Sequence, residues 1–293
     1  MIEKIIILGS KGQLGTELCH QLEPRDDLRL VAADVEECDI TDGEQVRRFF
    51  ADHAGRGEEA TAVINCAAFT AVDDAEEKRD LAMAINAAGA GNIAAACRDV
   101  GARLVHISTD FVFGDGHNSP IKESARPDPL SVYGASKLAG EELAMQNNPA
   151  TAVLRTSGLY SPWGKNFVRS IAGYARKKGA LSVVHDQIVG PTPVAPLAEV
   201  AVELATAPVF MGGVYHATVE GGCSWREFTQ AIVDLLQIDA QISPTTARQW
   251  GAPAKRPSYS VLDNERLRLV GLDRFRRWDE ELELFIGRYG DTL

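Results

Sequence analysis

The feature that most limits how this chain can fold is an alternation confined to its first half. Five short apolar or β-branched runs, at 5–8, 28–32, 62–65, 103–107 and 152–155, are separated by stretches with helical periodicity. Those helical stretches fall at roughly 13–22, 42–53, 79–100 and 131–147, and a further one covers 165–178. Strands joined through helices run parallel, and a parallel sheet must be covered on both faces. With right-handed crossovers this gives an α/β, Rossmann-like, doubly wound parallel sheet. The apolar run at 5–8 is too short for a signal peptide or membrane span and reads as a buried strand.

Beyond residue 155 the pattern loosens. Proline and glycine gather at 158–164, 190–196 and 251–257, between helices expected near 196–206, 224–237 and 277–288. Two domains are expected: a first over 1–155, with returns to its sheet near 181–216 (at 181–184 and 214–216), and a smaller, discontinuous one over 156–293. The net charge of −11 excludes a general nucleic-acid or membrane-surface partner, since both select a basic face. It leaves room for a small anion, which needs only a helix N-terminus and a few local cations. The five cysteines form no CxxC pair, and a reduced, cytoplasmic protein is expected.

Gly9, Gly12 and Gly15 follow the first strand directly and open the first helix. Glycine allows the tight turn and lets backbone N–H groups approach a pyrophosphate, so the first domain reads as dinucleotide-binding. A plain strand-to-helix turn of small residues is the bland alternative. Asp34 ends the second strand, ~20 residues beyond the turn, where a carboxylate can accept from an adenosine ribose. That favours NADH over NADPH; Lys11 pulls the other way, and a simple loop residue remains open. Asp39 and Ile40 begin the next turn and can flank an adenine, while Ala67 and Ala68 leave room for the rest of the cofactor.

Tyr133 and Lys137 stand four apart, hence on one helix face. A lysine there can lower the phenol pKa and hold a nicotinamide ribose, and the phenol can then protonate a carbonyl oxygen as hydride arrives. Alone this spacing is usually a surface lysine. Ser108-Thr109-Asp110, directly after the fourth strand, makes it specific, because the Thr109 hydroxyl and the phenol can share one oxygen.

Taken together, Gly12–Gly15, 39–42, 65–73, 106–113, 133–141, 186–192 and 256–260 make the chain resemble the extended short-chain dehydrogenases, and within them the dTDP-4-dehydrorhamnose reductase family. The resemblance implies Thr109, Tyr133 and Lys137 as the catalytic triad, with Thr109 and Asp110 touching the sugar. It implies Gly12, Gln13, Leu14, Asp34, Asp39, Ile40, Ala67, Ala68 and Phe69 along an NADPH or NADH cofactor, and a nucleotide-sugar substrate reduced at a 4-keto group. Two positions depart from the family pattern. Phe111 stands where a tyrosine is usual, and Gly158 where a tryptophan normally packs on the sugar. Trp163 can supply a substitute surface or simply pack on the smaller domain. Arg256 can clamp the substrate pyrophosphate or form a surface ion pair.

No histidine pair has metal spacing. Glu17 sits where some relatives hold magnesium at a dimer interface, but no matching carboxylate set follows, so no metal is expected; a homodimer stays open. Competing readings are a nucleotide-sugar 4-epimerase, which would retain its cofactor, and a non-catalytic NAD(P)-binding regulatory subunit. A 4,6-dehydratase would need an acid at position 111, where Phe111 stands.

Overall fold

The computed structural model describes residues 2–54 and 60–293. In chain order the first half comprises β1 (Lys4–Leu8), α1 (Gln13–Leu22), β2 (Arg29–Ala33), α2 (Gly43–His53), β3 (Thr61–Asn65), α3 (Val72–Glu77), α4 (Arg79–Met83), α5 (Ala90–Val100), β4 (Arg103–Thr109), α6 (Val132–Asn147) and β5 (Thr151–Thr156). There follow α7 (Phe167–Lys178), β6 (Ala180–Val184), β7 (Ile188–Val189), α8 (Val194–Thr206), β8 (Gly213–His216), β9 (Cys223–Ser224), α9 (Trp225–Leu235), β10 (Gln241–Thr245), α10 (Ala247–Trp250), α11 (Glu265–Leu269) and α12 (Trp278–Tyr289). Between α4 and α5, residues Ala84–Gly89 wind as a π turn inside the helical stretch expected over 79–100.

The central sheet has six strands in the order β2-β1-β3-β4-β5-β8, every pair parallel. Period-two geometry divides the apolar runs between its faces. Ile5 and Ile7 enter one core with Ala62, Ile64 and the inner faces of α1 and α8. Ile6 and Leu8 enter the other with Val63 and the inner faces of α2 and α5. The strand order reverses between β1 and β3, which opens a crevice at their carboxyl ends.

Of the two segments expected to return to this sheet, 214–216 lies in β8 and pairs with β5. The other does not: β6 pairs with β10 in a separate two-stranded sheet. Its Val183 packs with Ile242, Phe228, Tyr160 and Phe285 in a third core, so its apolar side chains are used up away from the main sheet.

Candidate active site

A cleft of about 1090 Å³ runs along the carboxyl ends of the strands, just above the roughly 300–1,000 Å³ usual for ligand pockets. The glycine turn forms one end of it. Gly9 adopts φ +75°, and a Cβ there would lie 2.6 Å from the Ala67 nitrogen. A Cβ at Gly15 would lie 2.1 Å from the Gly9 carbonyl oxygen. Gly12 caps α1 with no side chain, and no acidic residue occupies the first turn, so those N–H groups are left for an anion. Asp34 Oδ2 accepts from the Lys11 backbone N–H at 2.9 Å, which ties the turn to the end of β2. The Lys11 ammonium pairs with Glu36 at 2.7 Å.

Gly9, Gly12, Gln13, Leu14, Gly15, Asp34, Asp39, Ile40, Ala67 and Ala68 all line this cleft. Phe69 does not. Asn86, in the π turn, holds it by its backbone: Phe69 N–H donates to Asn86 Oδ1 at 2.8 Å, and Asn86 Nδ2 donates to the Phe69 carbonyl at 3.1 Å. The Phe69 side chain packs in the apolar cluster around Tyr133 instead. A Cβ-free cradle, unused helix-end donors and a carboxylate beyond β2 fit the diphosphate and adenosine ribose of a nicotinamide dinucleotide.

At the other end, β4 delivers Thr109 and Asp110, and α6 delivers Tyr133 and Lys137. Ser131 Oγ caps α6 by accepting from Gly134 N–H at 3.1 Å. Gly134 is needed because a Cβ there would lie 2.2 Å from the Phe111 carbonyl oxygen. Tyr133 and Lys137 are both buried. The phenol and the Thr109 hydroxyl line the same stretch of the cleft, and burial pushes the phenol up to about 12. The Lys137 ammonium makes its hydrogen bond to the backbone and not to the phenol. Lys137 Nζ donates to the Ile107 carbonyl at 2.7 Å, and burial brings the ammonium down to about 8. A neutral phenol at neutral pH is the form that has a proton to give.

Behind these groups lies a polar layer the sequence reading missed. Glu141, one turn beyond Lys137, accepts from Arg155 Nε at 2.9 Å and Nη2 at 2.6 Å, and from Ser108 Oγ. Arg155 also covers the Phe113 ring at 5.0 Å. Asp110 Oδ2 accepts from Ser157 Oγ at 2.8 Å and Ser260 Oγ at 2.6 Å, and Oδ1 accepts from Thr109 Oγ at 3.1 Å. Burial raises the Asp110 carboxyl, and these three hydroxyls oppose the shift. Glu141 had a readable signal, its i+4 spacing from Lys137; Arg155 and Ser260 come from distant segments and had none.

Two expected substrate residues are used elsewhere. Trp163 stacks flat on His20 of α1, with ring centres 4.9 Å apart, and does not line the cleft. Arg256 forms a two-pronged ion pair with Asp73, both contacts at 3.0 Å, and also lies outside the lining. Phe111 meets Tyr133 edge-on at 5.6 Å. Gly158 lines the cleft at φ +55°, and a Cβ there would lie 3.1 Å from Pro191 Cα and 3.5 Å from the tip of the Trp225 indole. The chain therefore has both a backbone and a steric reason for glycine at this position.

A parallel sheet, a glycine cradle at its switch point and a Thr-Tyr-Lys corner at the next strand end define a nicotinamide-dependent oxidoreductase of the extended short-chain dehydrogenase class. The profile of the RmlD substrate binding domain family matches residues 3–290. The dTDP-4-dehydrorhamnose reductase of Streptomyces griseus is 38% identical over 294 residues, covering 97% of this chain and 95% of the relative. The structure of a Clostridium acetobutylicum dTDP-4-dehydrorhamnose reductase is similar with a TM-score of 0.92 and 40% identity, over 98% of this chain and 99% of that one. The Bacillus anthracis str. Ames enzyme, solved in complex with NADP, gives a TM-score of 0.92 at 38% identity, over 98% and 100% of the two chains. This chain belongs to the RmlD substrate binding domain family, that of the dTDP-4-dehydrorhamnose reductases.

Proposed function

We propose that the chain reduces the 4-keto group of a dTDP-linked 6-deoxy sugar, converting dTDP-4-dehydro-L-rhamnose to dTDP-L-rhamnose with NADPH or NADH. The observation that carries this reading is the buried Tyr133 phenol, kept neutral by that burial, lining one cleft with Thr109 and with Lys137 one turn away on the same helix. When bound, the nicotinamide supplies the hydride that reduces the carbonyl carbon. Thr109 and Tyr133 bind the carbonyl oxygen, and Tyr133 gives its proton to the alkoxide as charge develops there. Lys137 places an ammonium beside the phenol and the cofactor ribose. Asp110, held by three hydroxyls, orients Thr109 and can accept from a sugar hydroxyl. Glycine turn, Asp34, Asp39, Ile40, Ala67 and Ala68 hold the dinucleotide. The chain beyond residue 155 closes the sugar side through 157–159. Five unpaired thiols suit a reducing, cytoplasmic setting.

The test follows nicotinamide absorbance with NADH and NADPH against a panel of nucleotide-linked keto sugars. Stoichiometric oxidation with dTDP-4-dehydro-L-rhamnose is the expected result. Oxidation with a different keto sugar alone would overturn the sugar and keep the reductase. Cofactor binding with no carbonyl substrate reduced would favour a non-catalytic subunit.

A further inference from the structure

Arg256 pairs with Asp73 and lies outside the cleft lining, so a cation for the cofactor's diphosphate is to be sought among the residues that do line it. Among the described residues three lysines line it: Lys11, Lys137 and Lys165. Lys11 is paired with Glu36 and Lys137 is bonded to the Ile107 carbonyl. Lys165 is exposed and has no ion pair or hydrogen bond among the described residues. The loop that carries it is built to lie over the glycine turn. Ser161 Oγ stands 2.9 Å from Gln13 Oε1 and 2.6 Å from the Trp163 carbonyl, two acceptors sharing one proton. A Cβ on Gly164 would meet Gln13 Cγ at 3.7 Å. Trp163 lies flat on His20, farther along the same helix. Asn166 Nδ2 donates to the Ser161 carbonyl at 2.8 Å, and Arg169 donates to the Pro162 carbonyl at 2.7 Å. The loop 161–166 is thus fixed at both ends, and its middle rests on the first turn of α1.

We infer that Lys165, on a rigid clasp reaching from the second half of the chain, pairs with the diphosphate of the bound dinucleotide opposite the N–H groups of α1. The inference rests on the cofactor reading above and adds a residue to it. It also gives Trp163 and Gln13 a positioning role, since they hold the clasp at the height of the cradle. In a chain of net charge −11, one unpaired lysine at that spot has a local effect that bulk charge cannot supply.

The test uses the full-length protein and equilibrium binding followed by nicotinamide fluorescence, with ADP-ribose as a competitor that keeps the diphosphate and drops the nicotinamide. Lys165→Ala should raise Kd for NADH, NADPH and ADP-ribose by the same factor, about fivefold. It should also reduce the salt dependence of Kd, and Lys165→Arg should restore most of the affinity. A higher KM for the nucleotide sugar with unchanged cofactor Kd would assign the lysine to the substrate's diphosphate and overturn the inference. Unchanged values for both ligands would leave Lys165 a solvated surface cation and overturn it as well. Native protein that binds no NADH or NADPH would instead overturn the cofactor reading beneath it.

Discussion

At the glycine-turn end of the cleft, Lys11 and Gly12 are exposed and the groups that would meet a ligand are mainly backbone N–H donors. At the catalytic end, Tyr133, Lys137, Asp110, Glu141 and Arg155 are all at least nine-tenths buried. The first end keeps its donors by leaving out side chains, so they stay in contact with water and need no buried counter-charge. The second removes charges from water and must partner them, which shifts the phenol up and the ammonium down. Cofactor grip should therefore respond to salt and tolerate substitution, while the catalytic corner should respond to pH and tolerate little.

The largest effect should come from the partnered layer. Glu141→Ala leaves the Arg155 guanidinium buried without its counter-charge, and Arg155 Nη1 already has no acceptor. A stability loss of about 3–5 kcal/mol is expected, read from denaturant unfolding at neutral pH. A loss below about 1 kcal/mol, the usual scale for an exposed pair, would mean the corner relaxes as readily as the glycine end. Next is chemistry: Tyr133→Phe should keep cofactor affinity and cost at least ~10²-fold in turnover. Near-normal turnover would remove the phenol from the reaction.

Lys137 sharpens the contrast through pH. Its ammonium releases its proton near pH 8 when folded, against 10.5 for an unperturbed lysine. Activity should thus fall on an alkaline limb near pH 8, well before Tyr133 ionises. For stability, the unfolded chain holds one more proton than the folded chain between about pH 8 and 10.5. Stability should then rise with pH across that window, and below it the buried ammonium carries its full cost. Lys137→Met should abolish activity yet stabilise the protein at pH 7 by about 1–3 kcal/mol, less the loss at the Ile107 carbonyl. Destabilisation at pH 7 with no slope between pH 8 and 10.5 would show that hydrogen bonding outweighs desolvation here.

The same contrast explains what the sequence made legible. The glycine turn is written in φ angles and close approaches that only glycine satisfies, so Gly9 and Gly15 announce themselves by type and spacing. Tyr133 and Lys137 share a helix and are linked by its periodicity. The alternating apolar runs likewise carry the order of strands and helices, and even their division between two cores. Asp110–Ser260 and Glu141–Arg155 join segments whose proximity depends on the finished topology, and no local pattern records such a meeting. Trp163 and Arg256 could not be assigned from sequence for a related reason: an indole or guanidinium suited to a ligand is equally suited to His20 or Asp73. Strand β6 was misplaced because an apolar run states that it is buried, not in which core.

Asp34 gives the smallest and most condition-dependent test, because it sits at the solvated end. Its Oδ2 accepts from Lys11 N–H and its Oδ1 from Val35 N–H, both at 2.9 Å, so it shapes the turn as well as carrying charge. Replacing it by alanine would confound the two roles. Asp34→Asn removes the charge and keeps one of the two acceptor oxygens, so it disturbs the turn less than alanine does. A 2′-phosphate placed here meets Asp34 with Glu36 and Glu37 nearby, while Lys11 is drawn off by Glu36. Neutralising Asp34 should therefore move the kcat/KM ratio towards NADPH by roughly tenfold. Because these groups are exposed, the shift should shrink as ionic strength rises from about 0.01 M to 1 M and the screening length falls from about 30 Å to 3 Å. The pH limb set by Lys137, in a buried site, should barely move over the same range. A cofactor ratio that does not change in Asp34→Asn would make Asp34 a loop tether alone. A ratio that changes but ignores salt would mean this end of the cleft is closed off from water when the dinucleotide binds, and the contrast between the two ends would then hold only for the unliganded protein.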